Sequence, residues 1–531
     1  MTLTGVDPFD PTPSTKRELI FGAGTGSSGV TRDVVIFGNS TAAGSEVDNE
    51  LNGPIADDQD ARDRFGERSE LYLLYKTFVE VDKSATIYGI SVPDIGGTAA
   101  AVPITVVGVS DADSTVTITI LGKDIIYLVA NGDAIAVTAA GISAAIDAYD
   151  EGRLPVTTTP VAGVCTVTAA NTGERSEHII GETATRGLRV KIETNGTANT
   201  QTVVKTVGSF VPGAGNDVGT TAIGLAAARE NLYWHVAPWH TVTSGGAGTE
   251  GSNSDVAVGD FQTGDLIDMI NTQALPVNSK EKQVVFGLIG SSADSILVPL
   301  DAQANAVRAS FFWQENNDWT PGMLAAYHCA IMRSGYIAHP SRSRAGYTST
   351  DSTPYNIPAP AVATDVPTAT EIRTALNNGV SPISFSGDTP YLVRAITARN
   401  FNAGGQKDYK AREHHIVYAI DFVWQEIKAR WYATKQEFVA DDPADGAKPI
   451  PNTSTPSDLK ALIFGVIDTM TGPRPLGIYT GPILAPDLIQ FMKDSVKVAK
   501  IPAGLSVVAE FIAVQHLLKF EGKFLEVGEA Y

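Results

Sequence analysis

The sequence predicts a multidomain α+β and α/β chain, in which an α/β core carries an inserted β-rich, sandwich-like domain and extended strand arms close both ends. Three observations predict this. Val34-Val35-Ile36-Phe37, closed by Gly38, has the unbroken apolarity of a strand buried on both faces, and an amphipathic helix and a second strand follow it. Between Ala99 and Phe210 the pattern changes to a period of two, with Val116, Ile118 and Ile120 alternating with Thr115, Thr117 and Thr119. The two ends, around Arg17–Phe21 and Phe511–Val527, are rich in strand formers but lie outside both patterns.

Residues 1–14 contain three prolines and no apolar period, so they read as an extended tail. Gly22 to Gly29 is glycine-rich. The helix over Glu70–Glu80 rests on Leu71, Leu74, Tyr75 and Phe78 at i, i+3, i+4 and i+7, with charge off that stripe. Ala85–Val92 reads as a strand. In the insertion, short strands are expected at Pro103–Val109, Thr115–Ile120, Gly163–Ala169, Gly187–Thr194 and Gln201–Val207. Between Ala99 and Ser209 the only aromatics are Tyr127 and Tyr149, whereas all six tryptophans follow. The insertion is therefore expected to be a separate domain that decorates an exterior and whose two ends lie close together.

After the insertion, Leu266, Ile267, Ile270 and Ala274 mark a helix, Val284–Ile289 a buried strand, and Met323–Arg333 a helix that stops before Gly335. His339–Pro367 holds five prolines and reads as a linker or long surface loop. Thr368 and Glu371 form a capping box for a helix that Gly379 ends. Tyr391–Ala398 reads as a strand. Ile416, Ile420, Val423, Trp424, Ile427 and Trp431 share one stripe of a long helix over Ala411–Thr434. Asp441–Pro456 is read as a polar loop, Pro486–Lys497 as a short helix, and Val507–Val527 as terminal strands.

Composition excludes several classes of function. Lys plus Arg is 39 and Asp plus Glu is 59, a net charge of −20, which argues against a nucleic-acid binder. No stretch approaches the ~18 apolar residues of a membrane span. The start of the sequence lacks the basic and apolar regions of a signal peptide, and two cysteines, Cys165 and Cys329, cannot build a disulfide framework. The expectation is a soluble, acidic protein from a reducing compartment. Charged residues are only 18% of the chain, against about 25% in typical soluble chains, which points to surface hidden in an assembly.

The search for chemistry yields little. Gly24-Thr25-Gly26-Ser27-Ser28-Gly29 fits a dinucleotide-binding pattern, but a strand follows it where the pyrophosphate needs a helix N-terminus. His414 and His415 are adjacent on a helix, about 100° apart, and cannot chelate one metal; a polar helix start is expected. Trp234-His235-Val236-Ala237-Pro238-Trp239-His240 reads as core aromatics with a satisfied histidine. Asp441-Asp442-Pro443-Ala444-Asp445-Gly446 lacks the alternation and closing Glu of a calcium loop and reads as solvated. No catalytic residue, metal ligand or cofactor is expected, and the chain is read as no enzyme.

Three stretches together resemble the tail sheath proteins of contractile bacteriophages, of the Mu-like kind, and their relatives in R-type bacteriocins and contractile injection systems. The first is Asp33–Ile95: the strand, a helix start with Phe65, Gly66 and Ser69, the helix, the next strand, and a β-rich insertion opening at the same point. The second is Ala375-Leu376-Asn377-Asn378-Gly379-Val380-Ser381, then Val393-Arg394-Ala395-Ile396-Thr397-Ala398 and Asp408, with Ala398 where a second Thr is common. The third is order alone: long helix, acidic loop, short helix, terminal strands.

The resemblance implies a virion structural protein, assembled in the host cytoplasm as stacked hexameric rings around an inner tail tube, and contracting without a cofactor. Its partners would be further copies of itself, the tail tube protein, and baseplate and tail terminator proteins, with no direct nucleic-acid binding and no membrane insertion. It further implies an N-terminal arm over 1–32, an α/β domain over 33–98 and 211–366, the insertion over 99–210, a tube-facing α/β domain over 367–504, and a C-terminal arm over 505–531. Lone strands are unstable in water and their open edges template pairing. Arg17, Glu18, Leu19, Ile20 and Phe21, with Phe511, Ile512, Val514, Leu518, Phe520, Phe524 and Val527, are therefore the residues expected to pair with neighbouring subunits. Two other readings fit the same elements: an α/β enzyme with a β-sandwich accessory domain, and another virion shell or tube protein.

Overall fold

The computed structural model describes residues 14–21, 32–92, 94–152, 154–180, 190–195, 199–205, 211, 214–217, 220–229, 231–238, 263–274, 280–290, 305–338, 355–360, 363–387, 389–401, 405–407, 412–434, 438–444, 451, 453–472, 475–476, 479–480, 482–501 and 504–513. The glycine motif Gly24–Gly29, Trp239 and His240 lie outside them.

An eight-stranded sheet forms the centre, in the order Thr389–Leu392, Val380–Ser386, Ala309–Trp313, Gln283–Leu288, Leu232–Val236, Asp33–Gly38, Ile87–Ser91 and Leu51–Asn52. Its six inner strands run parallel and the two edge strands antiparallel. Every residue of Asp33–Gly38, Leu232–Val236, Gln283–Leu288 and Ala309–Trp313 is buried, which is why these segments read as continuous apolar runs. On one face, helices Glu70–Val81 and Pro321–Ala338 bury Leu74, Phe78, Leu324 and Ile331 against Val34 and Ile36. On the other, Ala226, Leu266, Ile270 and Ala375 cover Val35, Phe37 and Phe286. The result is a three-layer α/β unit.

Local rules account for several boundaries. Ser69 accepts from the Tyr72 amide to start Glu70–Val81, and Thr368 and Glu371 make the predicted capping box. Gly379, at φ +82°, ends the helix after Thr368, and a Cβ there would lie 2.9 Å from the Ala398 carbonyl oxygen. Other expectations are corrected. Helix Pro321–Ala338 passes through Gly335, because burial of Tyr336 outweighs the ~1 kcal/mol cost of a helical glycine. The expected strand Tyr391–Ala398 stops at Leu392; beyond it the Ile396 amide donates to the Ser381 hydroxyl and turns the chain. The polar stretch ending at Pro456 instead leads into a helix, Pro456–Thr471, with a Thr455–Asp458 capping box.

The insertion leaves and re-enters through a two-stranded ribbon, Asp94–Thr98 with Ala214–Asp217, and Ala101 and Val211 exchange both backbone hydrogen bonds. Beyond it stand a four-stranded and a three-stranded antiparallel sheet and a helix, Ile135–Ala148, which the period-two pattern does not predict. The tyrosine ring of Tyr127 presses on Gly141 of that helix, where a Cβ would come within 2.2 Å. The insertion has its own two sheets, and it also packs on the core. One apolar cluster contains Val34, Leu74 and Tyr355 together with Val102, Ile142 and Val167 of the insertion. Arg68–Asp147 at 3.0 Å, Arg175–Glu70 at 2.9 Å, Lys76–Asp150 at 2.7 Å and Lys191–Asp318 at 2.6 Å fasten the insertion to the core.

A second α/β unit follows. Helices His414–Thr434, Pro456–Thr471 and Ile489–Ser495 pack on a three-stranded sheet, with Trp424, Ile427, Ile463, Val466, Val507 and Phe511 in its core. The expected boundary at 366/367 falls before Val380–Ser386 and Thr389–Leu392, which complete the central sheet, so the second unit starts near the long helix.

Candidate assembly interface

The three-stranded sheet joins the two ends of the chain. Gly504–Ile512 is its middle strand, with Lys497–Ile501 antiparallel on one side and Ser14–Phe21 antiparallel on the other. Leu505, Val507, Ala509 and Phe511 alternate with the more exposed Val508, Glu510 and Ile512, so one face is seated on the helices. Phe511 meets the Trp424 ring edge-on at 4.9 Å. The Glu510 amide donates to the Ser495 hydroxyl at 2.9 Å, pinning the strand to the preceding helix.

Of the residues expected to pair outward, Arg17, Glu18, Leu19, Ile20 and Phe21 stand opposite Ala509, Val508, Val507, Ser506 and Leu505. Phe511 and Ile512 stand opposite Thr15 and Ser14. Within a single chain, then, the expected arms 1–32 and 505–531 share one sheet, but Arg17–Phe21 pair with Leu505–Ala509 and not with the expected segment from Phe511 onward. Val514, Leu518, Phe520, Phe524 and Val527 lie outside the described residues. The sequence reading missed Lys497–Ile501 and the start of the middle strand at Gly504; alternation of Leu505, Val507, Ala509 and Phe511 was the available signal.

The two α/β units are joined through a buried polar hub on the long helix. Asp421 takes a two-point pair from Arg308, with Nη2 to Oδ1 at 2.6 Å and Nη1 to Oδ2. The Tyr233 hydroxyl donates to the same carboxylate at 2.9 Å. Burial pushes the Tyr233 hydroxyl well above its ordinary pKa, and the Asp421 charge adds to this. Burial works against the Arg308 charge, but Asp421 outweighs it and holds the guanidinium protonated. Arg32, just before the first core strand, stacks its guanidinium 3.9 Å from the Tyr418 ring centroid and donates to Gln425 at 2.9 Å. Burial lowers its pKa to about 10. Lys428 pairs with Glu281 at 2.7 Å. Removing one partner from charge pairs this well buried would leave an uncompensated charge in the contact between the units.

The histidines turn out to be core aromatics. His414 opens the long helix as expected but is fully buried, a correction of the polar helix start: its ring lies parallel to Trp234 at 5.6 Å and Tyr336 at 5.4 Å. His328 stacks on Phe312 at 4.1 Å, and its ring nitrogens meet the Leu324 carbonyl and the Tyr355 hydroxyl. Burial lowers both to about 3, and takes His235 well below its ordinary value, so all three stay neutral near pH 7. In the acidic loop, Asp442 accepts from the Ser457 amide at 3.0 Å and Asp441 pairs with Lys500 at 3.0 Å. No group of three or more His, Cys, Asp or Glu side chains that could hold a metal occurs among the described residues. Nor is any described helix long and apolar enough to cross a membrane.

Strand order reverses between Asp33–Gly38 and Leu232–Val236, the place where open α/β sheets take ligands at their carboxyl ends. The carboxyl end of Asp33–Gly38 is capped by a buried network: the Asn39 amide donates to Glu70 at 3.1 Å, and Arg175 from the insertion pairs with Glu70 and donates to the Asn39 side chain.

Fold and termini together define a class: a multidomain α/β protein whose first and last described strands share one sheet. No family model matches the chain, and no curated protein matches it. Among solved structures the chain is similar to the sheath tail protein from Desulfitobacterium hafniense, at 14% identity over 92% of this chain and 95% of that one, with a TM-score of 0.45.

Proposed function

We propose that the chain is a structural subunit of a contractile tail sheath, polymerising as stacked hexameric rings around an inner tail tube and contracting to drive the tube through a host envelope. The observation that carries this reading is the eight-residue register between Ser14–Phe21 and Gly504–Ile512. A strand from one end of the chain sits at the edge of a sheet otherwise built by the other end. A neighbouring copy can supply the same strand in the same register, so exchange requires no new interface. Exchanged strands would let subunits rotate on contraction without parting. The sequence motifs around Phe65–Ser69 and Leu376–Ser381 support the same assignment.

In this reading the energy of contraction is stored in subunit interfaces at assembly, and no nucleotide is consumed. The partners are further copies of the chain, the tail tube protein, and baseplate and tail terminator proteins; the location is the virion tail, assembled in the host cytoplasm. An α/β enzyme would need access to the carboxyl end of the first strand, which the Asn39, Glu70 and Arg175 network occupies. Electron microscopy of the purified protein is the test. Tubes or stacked rings are expected, and a persistently monodisperse monomer at all concentrations would refute the assignment.

A further inference from the structure

The two sheets of the insertion turn their outer faces away from a shared interior, and the two faces differ. The four-stranded sheet consists of Thr202–Lys205, Ala101–Val107, Val164–Ala169 and Val156–Val161, in that order. Apart from Lys205 at one end, these strands contain no charged residue. Their outward positions are small and mostly β-branched, among them Thr105, Thr159, Val161, Thr166 and Val204, and Val161 is 64% exposed. The three-stranded sheet instead raises two large aliphatic side chains on its edge strand Lys123–Val129: Ile126, 63% exposed, and Leu128, 72% exposed. Beside them are Thr117 and Thr115, their cross-strand partners.

We propose that these faces meet between copies, with Ile126 and Leu128 of one insertion seated on the uncharged four-stranded face of the next. This rests on the assembly reading above and adds a contact to it. Three features select a second copy as the occupant. A ring or helical polymer is built from contacts between two different patches of the same chain, and one domain here carries a protruding apolar patch and a flat receiving one. A chain of net charge −20 repels its copies wherever acidic surfaces oppose, and a face without charge escapes both that repulsion and the cost of desolvating ions. Four strands ~4.8 Å apart and up to seven residues long at ~3.3 Å each present roughly 300–400 Å². That is about half of what each partner buries in a stable binary interface, so the contact fails to dimerise free chains and acts only where assembly already holds the copies adjacent.

Single-cysteine variants test this. Leu128→Cys and Thr166→Cys are assembled separately and as a mixture, then treated with a bismaleimide crosslinker; the native Cys165 and Cys329 are buried and leave the unmodified protein as a blank. The expected result is at least a ten-fold excess of crosslinked dimer in the mixed assemblies over either variant alone. If microscopy shows rings or tubes and the mixture crosslinks no more than the single variants, the assembly reading stands and this contact is wrong. If no assembly forms at any concentration, the assembly reading falls and the contact falls with it.

Discussion

Replacing His414 with phenylalanine should remove about 2 kcal/mol of acid sensitivity from this protein. The ring is buried between Trp234 and Tyr336, and among the described residues neither ring nitrogen has a hydrogen-bond partner. Burial depresses its pKa from 6.5 to about 3; Asp421 favours the charged ring and Arg308 opposes it. Because the folded value is the lower one, the unfolded chain takes up the proton first as pH falls. Stability is therefore full above about pH 6.5 and declines on acidification, levelling off only near pH 3. Between pH 7 and pH 5 this amounts to about 2 kcal/mol for the one ring. His328, also lowered to about 3, behaves alike, so the two rings together remove about 4 kcal/mol, close to the whole stability of a marginal domain, and burial pushes His235 in the same direction. The assay is urea unfolding followed by tryptophan fluorescence at the two pH values, since Trp234 reports directly on the site. His414→Phe should match the parent within about 1 kcal/mol at pH 7, because it deletes two unsatisfied polar atoms while keeping the stack. It should then lose about 2 kcal/mol less on going to pH 5. An unchanged pH dependence in the variant would refute the reasoning.

Three further outcomes follow from the same structure. Asp421→Ala strands the buried Arg308 guanidinium and should cost about 3–5 kcal/mol in denaturant unfolding, whereas the double change Arg308→Met with Asp421→Leu should recover most of it; a loss below about 1 kcal/mol in the single variant would mean the pair is solvated. Gly287→Ala would place a Cβ 2.0 Å from the Pro321 carbonyl oxygen, a backbone atom that cannot swing away, so destabilisation at or beyond the top of the ~1–3 kcal/mol overpacking range is expected, read as lost soluble yield. Deleting residues 1–22 should leave a folded monomer that no longer forms tubes by electron microscopy, with tubes of normal length as the contrary result. Truncation after Leu505 is a poorer probe, since it removes Phe511 from Trp424 and tests folding of the second unit instead.

Legible in one dimension are the elements whose burial is uniform or whose ends are chemically marked. Asp33–Gly38 and Gln283–Leu288 lie inside a sheet covered on both faces, so every position is apolar or paired and no period is needed to see them. Ser69, Thr368 and Gly379 act on their own backbone within a few residues, which makes a cap or a stop legible in one dimension. The same signals occur at Thr455, Pro456 and Asp458, which open a helix with the stripe Leu459, Ile463, Val466 and Ile467. Tertiary structure alone decided the rest, because its causes lie between residues distant in sequence. Ile135–Ala148 is helical although it begins with strand formers, since its face fills the space between two sheets and its Gly141 admits the Tyr127 ring. His414 is buried rather than solvated because Trp234 and Tyr336, from a strand and a helix far upstream, close over it. The insertion is fastened to the core where Arg175 reaches Glu70. The two ends of the chain meet because Gly504–Ile512, held by the helices under Phe511, offers an open strand edge to Ser14–Phe21, and backbone hydrogen bonding is indifferent to how far apart in the chain its partners lie.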